Sequence, residues 1–357
     1  MYRSKDLLVC LTFFVGMGAC DVAKSQSSVT LYGALDAGVF FANKTLSSNG
    51  GNGGKVISLV DSAWGPSVFG LTGNEDLGGG LHAIFRLEGG LSVANGGAGA
   101  SGGIPFGRNA YVGLSGDYGV VKIGLQYSPL FVALIETDAR NLEFFGSGSV
   151  IFGEHLLAGM FAPNAISYTT PNLGGIQATA LVSLGGIPGD FQAGRQYSLS
   201  ARYESGPFLA NAVIYSGNAG GSATTSAFGA APAFLARTIG MSYKFETFAV
   251  KAAVTNYKVA GDFNGYVYST GFDYFILPEL TLETGIYFTS DRNDAKNHSI
   301  LGGIGLSYFV SKSTMLFTEF AAVNNHGAMN TGISCSGGLF GVQGTTIGGE
   351  IGIRHYF

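Results

Sequence analysis

The chain is short of charge, proline and cysteine, and no long apolar run follows its first residues. Each shortage excludes something. Charged residues fill 12% of 357 positions against 46% hydrophobic ones, which is not the charge-rich, apolar-poor composition of a disordered chain. Proline, at 9 residues, is too scarce for a proline-rich linker protein. No apolar stretch of roughly eighteen residues follows the N-terminal segment, which argues against membrane-spanning helices. Of the three cysteines, Cys10 and Cys20 sit near the start, and Cys335 alone lies beyond them. An internal disulfide is then impossible after processing, and the lone thiol reads as incidental. The five histidines are scattered without metal-ligand spacing, so no metal and no other cofactor is expected.

Residues 1–25 carry a short basic start (Arg3, Lys5), an apolar core over 7–19 and small residues at Ala23 and Ser25. This pattern reads as a cleaved signal peptide, with residues 26–357 as one mature domain. Met17-Gly18-Ala19-Cys20 leaves a weaker lipoprotein-type reading open. Cleavage before Gln26 removes Arg3, Lys5, Lys24, Asp6 and Asp21, which leaves 16 basic and 21 acidic residues and a formal charge of −5. With no basic excess, nucleic acid is not a partner.

What is abundant is glycine, at 58, with 27 Phe and 17 Tyr. Glycine and aromatics without a collagen period point to many strands joined by tight turns. The end of the chain shows the pattern best. Over 345–357, Ile347, Ile351 and Ile353 alternate with Glu350 and Arg354. A period of two is a strand with one face in oil and the other in water. Similar segments recur at 29–41, 68–74, 81–88, 109–115, 120–126, 164–170, 176–183, 197–204, 208–215, 236–245, 248–257, 266–276, 280–290, 299–310 and 314–323. With the last, they make sixteen. Short turns and long polar links alternate between them, as in outer-membrane barrels with short periplasmic turns and long external loops. The predicted fold is all-β: a sixteen-stranded antiparallel transmembrane β-barrel. Tyr243, Phe245, Tyr274, Phe275, Tyr308, Phe309, Tyr356 and Phe357 gather near the short-turn ends and suit an aromatic girdle.

Several stretches then resemble a known family. S-S-V-T-L-Y-G-A-L-D-A-G-V at 27–39 resembles the mature start of the trimeric general porins of Gram-negative bacteria, in their betaproteobacterial branch. G-N-E-D-L-G-G-G-L-H-A at 73–83, F-G-R-N-A-Y-V-G-L-S-G-D at 106–117, N-A-I-S-Y at 164–168 and the ending G-I-R-H-Y-F at 352–357 are similar to that family in the same order. The resemblance implies an outer-membrane homotrimer amid lipid and lipopolysaccharide, through which small hydrophilic solutes and ions diffuse passively. It implies a third loop, here 127–163, folded inward to narrow the lumen. It also implies recognition of the terminal Phe357 by the barrel-assembly machinery, and suggests that the link 89–107 latches a neighbouring subunit. Val68 and Thr72 stand where such porins usually carry a basic residue, so the family's ion preference does not transfer.

A diffusion pore works by width and field. The candidate constriction loop carries Glu136, Asp138, Glu143 and Glu154 against one Arg140. The wall offers Arg86, Lys122 and Arg202 opposite it, with Lys244, Lys251 and Arg354 elsewhere in the lumen. Acid on the loop facing base on the wall would set a transverse field, with a slight lean to cations. His155, beside Glu154, is a candidate pH sensor. The alternative is a barrel with a plugged lumen that serves mainly as a binding or adhesion surface. A barrel-embedded lipid hydrolase would need Ser and His on neighbouring outward faces, and no convincing pair is present. G-A-S-G-G at 99–103 has the letters of a nucleophile elbow without the strand and helix it needs, so no enzyme is expected.

Overall fold

The computed structural model describes residues 28–99, 103–155, 159–221 and 232–357. The signal segment expected over 1–25 lies outside them. The first strand, β1 (Ser28–Ala42), sets the rule for the rest. Leu31, Leu35, Val39 and Phe41 are exposed on the outer surface, while the alternate positions Asp36 and Phe40 are buried on the inner one. Then follow β2 (Val56–Asp61), β3 (Val68–Gly78), β4 (Leu81–Gly90), β5 (Asn109–Gly116), β6 (Gly119–Tyr127), β7 (Phe161–Thr169), β8 (Ile176–Ser183), β9 (Gln196–Ser205) and β10 (Phe208–Gly217). Next come β11 (Phe234–Lys244), β12 (Phe248–Val259), β13 (Asn264–Leu277), β14 (Leu280–Asp291), β15 (His298–Ser311) and β16 (Thr314–His326). A small hairpin, β17 (Thr331–Ser334) with β18 (Gly338–Phe340), precedes the last strand, β19 (Gly344–Tyr356).

Every pairing in the large sheet is antiparallel, and β19 returns to β1 with 348–356 opposite 34–42. The barrel therefore has no open edge, as a lipid environment demands. The sheet holds 17 strands but sixteen staves, because β2 and β3 pair with successive parts of β1: 56–61 with 37–42, and 68–74 with 28–34. The closed, sixteen-stave architecture is the one the alternation predicts. The sequence reading missed β2, whose six residues are separated from β3 by the irregular 62–67.

Asp36 explains that interruption. One of its carboxylate oxygens accepts from the Ala63 and Trp64 amides at 2.8 and 3.2 Å, and the other from Gly65 N at 3.2 Å and Arg354 Nη1 at 2.8 Å. A buried carboxylate needs such donors, and here they pull 62–67 off the wall. In the expected girdle, Tyr243, Phe245, Tyr274, Tyr308 and Phe357 are exposed on the outside, whereas Phe309 lies opposite the buried, inward-facing Met315. Phe275 and Tyr356 instead share the inward parity of their neighbours Asp273 and Arg354.

Residues 128–155 do not run over the surface. They enter the barrel and form α1 (Pro129–Thr137) and α2 (Gly148–His155). Ser128 starts α1, its Oγ accepting from Phe131 N at 3.0 Å with Pro129 at the first helical position, where a missing N–H costs nothing. Leu130, Ala133, Leu134 and Thr137 are its buried face. The β17–β18 hairpin holds the loop from the other side, through Gly146 N to Ile333 O at 2.8 Å and Cys335 N to Phe144 O at 2.7 Å.

Candidate functional site

The inward loop is pinned to the wall by its own charged residues. Asp138 is buried at the end of α1, and Oδ1 accepts from the Arg140 and Leu142 amides at 2.9 Å and from Tyr287 Oη at 3.0 Å. Arg140 is fully buried. Its guanidinium pairs with Glu143 in the loop and Glu319 on β16, and Nη1 donates to Phe145 O at 3.0 Å. Burial, against the pull of Arg140, pushes the Glu143 carboxyl well above the usual carboxylate range. Lys251, on β12, reaches the loop at Asn141 and pairs with Asp273 at 2.9 Å.

Glycines let the loop lie this close. Inward-facing Gly240, Gly271, Gly285, Gly303 and Gly305 stand on β11, β13, β14 and β15, directly behind residues 137–146. A Cβ on Gly285 would sit 2.7 Å from Arg140 Cγ, and one on Gly271 would sit 2.9 Å from the Ala139 Cβ. No charge or motif marks these residues in the sequence. Their inward parity on neighbouring strands was the available signal.

Glu136 is placed differently. It is partly exposed, and it pairs with Arg202 Nε at 2.5 Å while Asn211 Nδ2 donates to it at 3.2 Å. Arg202 also pairs with Glu204 at 2.7 Å. Glu136, Arg202 and Asn211, with Lys122, line a cavity of about 310 Å³ between α1 and β6–β10. Arg86 lies on the adjoining wall, where Nε donates to Tyr32 Oη at 2.6 Å and Nη2 pairs with Glu88 at 3.1 Å. Glu88 also pairs with Arg108 at 3.0 Å and accepts from Tyr127 Oη at 2.6 Å. Glu88 and Arg108 had no role in the sequence reading, although the alternation marks Glu88 as lumenal.

Other expected site residues lie apart from this passage. Arg354 is held by Asp36, its guanidinium 5.3 Å from the Trp64 ring. Lys244 is at the short-turn end of β11, 5.5 Å over Phe275. Glu154 is enclosed beside His155, whose ring stacks on Phe263 at 3.9 Å. The acid-against-base field expected from the loop therefore needs correction. Asp138, Glu143 and Glu154 are sealed between loop and wall rather than set facing the water, which removes the loop-acid half of the case for a cation lean. Burial pushes the Cys335 thiol up to about 12, which leaves no thiolate for chemistry at neutral pH.

A profile described as Gram-negative porin matches residues 11–328. The chain belongs to the Gram-negative porin family. Among curated proteins, the porin is 31% identical to outer membrane porin protein 32 of Delftia acidovorans, over 99% of this chain and all of that one. It is 30% identical to major outer membrane protein P.IB of Neisseria meningitidis serogroup B, over 57% of each. Among solved structures, it is similar to an anion-selective porin from Comamonas acidovorans, with a TM-score of 0.80 and 28% identity over 93% of this chain and 100% of that one. The porin is thus an outer-membrane channel for passive diffusion of small hydrophilic solutes, not an enzyme. Membership does not favour the plugged, adhesive barrel.

Proposed function

We propose that solutes pass between α1 and the wall formed by β4–β9, and that this passage mildly prefers anions. One observation carries the reading. Around the passage stand Arg86, Arg108, Lys122 and Arg202 against Glu88, Glu136 and Glu204, while the side chains of the remaining loop acids are sealed off. Four cations face three carboxylates. Low-dielectric walls focus even one excess charge, which raises the local concentration of the opposite ion. The anion-selective description of the similar Comamonas porin agrees in sign. Reversal potential across a salt gradient tests this: the potential of an anion-preferring pore is expected, and a cation-preferring one would overturn it.

The assembly belongs to the same proposal: a homotrimer in contact with lipid and lipopolysaccharide, its terminal Phe357 read by the barrel-assembly machinery. Current steps in groups of three support the trimer. Loss of outer-membrane insertion on deletion of Phe357 supports the assembly signal. The signal peptide over 1–25 is tested by sequencing the N-terminus of the exported protein, which should begin at Gln26.

A further inference from the structure

α1 divides the passage lengthwise. Val132 and Glu136 lie on one stripe, beside the polar cavity with Lys122 and Arg202. Phe131 and Ile135, each one residue back and so about 100° round the helix, lie on the next stripe. They line a second cavity of about 360 Å³, enclosed by Trp64, Phe144, Phe161 and Leu339. Tyr127 borders both cavities. Its ring packs 5.1 Å from Phe131 and 5.4 Å from Phe161, and those two rings are 6.0 Å apart. Ile135 keeps 40% of its surface exposed. Apolar surface left open in a water-filled lumen is costly, and a contiguous patch of it marks a binding surface.

We propose that this apolar half is a subsite for small aromatic carboxylates in transit, an inference that rests on the pore reading above. A cavity of about 150 Å³ suffices for benzene, so this one has room for a single ring and a substituent. The rings of Tyr127, Phe131 and Phe161 offer faces and edges at the spacings aromatic pairs prefer. The sign of the substituent follows from the charge around the rim. Arg108 lines the apolar cavity itself, and the passage as a whole has one more cation than carboxylates. The acid that borders the cavity, Glu143, is paired with the buried guanidinium of Arg140, so it adds no uncompensated negative charge there. A ring thus rests on the aromatic side while its carboxylate turns to the basic side, and the solute crosses without losing both kinds of solvation at once.

The test is single-channel recording on the refolded, full-length mature porin with benzoate, acetate or phenol added at equal millimolar concentration. Benzoate is expected to give brief current blocks that acetate and phenol do not give. Phe131→Ser with Ile135→Ser should lower block duration at least about threefold, the worth of one lost aromatic contact, measured against the variant's own open current. Benzoate indistinguishable from acetate in a conducting pore would overturn the subsite and leave the pore reading standing. Phenol blocking as well as benzoate would overturn the carboxylate assignment. No channel current at all would overturn the pore reading itself. The wild-type comparison requires no variant to fold.

Discussion

Arg140 and Glu319 are ion-paired across 179 positions of sequence, one in the inward loop and the other on β16, and both side chains are sealed from solvent. A charge so placed is tolerable only while its partners stay. Arg140→Leu leaves Glu143 and Glu319 facing each other in a dry space. The expected cost is about 3–5 kcal/mol, read as a lower midpoint in chemical unfolding of the refolded barrel. Glu319→Gln keeps a polar acceptor and should cost less. Protease cleavage within 128–160 should rise for Arg140→Leu, because the loop loses its pin to the wall.

Glu154 and His155 make opposite demands on pH. Burial pushes the Glu154 carboxyl up to about 8 and holds the His155 ring down to about 4. For Glu154, the folded state binds the proton more tightly than the unfolded one. Its contribution is complete below the ordinary value of 4.5 and is lost as pH rises through about 8. For His155 the contribution is present above 6.5 and is lost as pH falls through about 4. Between pH 6.5 and 9 only Glu154 of the two changes charge. Wild type should therefore lose thermal stability across that window, and Glu154→Gln should lose less. An equal slope in both would overturn the assignment. His155 is already neutral at pH 5, so its replacement should leave conductance equal at pH 5 and pH 8.

The Glu136–Arg202 pair is about a quarter in water, with side chains 22% and 27% exposed. Such pairs contribute no more than about 1 kcal/mol, so either variant should fold normally. Their effect lies in the field. Glu136→Gln removes one of three carboxylates from the passage and should shift the reversal potential further toward anions. Arg202→Gln should shift it toward cations. Shifts of the same sign, or none, would place the narrowest section elsewhere.

The barrel was legible because period-two alternation runs through every stave, and it assigns Glu350 and Arg354 to the lumen while leaving Ile351 and Ile353 exposed outside. The site was less legible, and the reason is physical. A count of loop acids cannot tell Glu136, which meets water, from Asp138 and Glu143, which meet the wall. That difference depends on where α1 ends and which strands carry glycine behind it. The interrupted stave is a similar case. Asp36 reads as one more lumenal charge, and nothing in its neighbours announces that four N–H groups from distant positions converge on it.

The glycine row gives the last prediction its direction. Gly240 faces inward on β11, and the three atoms nearest to an added Cβ would all belong to the Thr137 side chain of the loop, all within 3.0 Å, whereas an added Cβ on the outward-facing Gly302 of β15 would meet nothing nearer than 4.0 Å. Valine suits a strand at either position, and at neither does it press first on the backbone of a neighbouring strand. At Gly302 the added methyls point into lipid, and conductance should stay as in wild type. At Gly240 they occupy the space now filled by Thr137. β11 is held by hydrogen bonds to β10 and β12 on both sides, whereas Thr137 ends α1, so the end of the helix gives way, inward from the wall. Single-channel conductance of Gly240→Val should therefore fall while heat-resistant migration of the folded barrel is retained. Equal conductance in the two valine variants would show that the loop is not set by its contact with this wall.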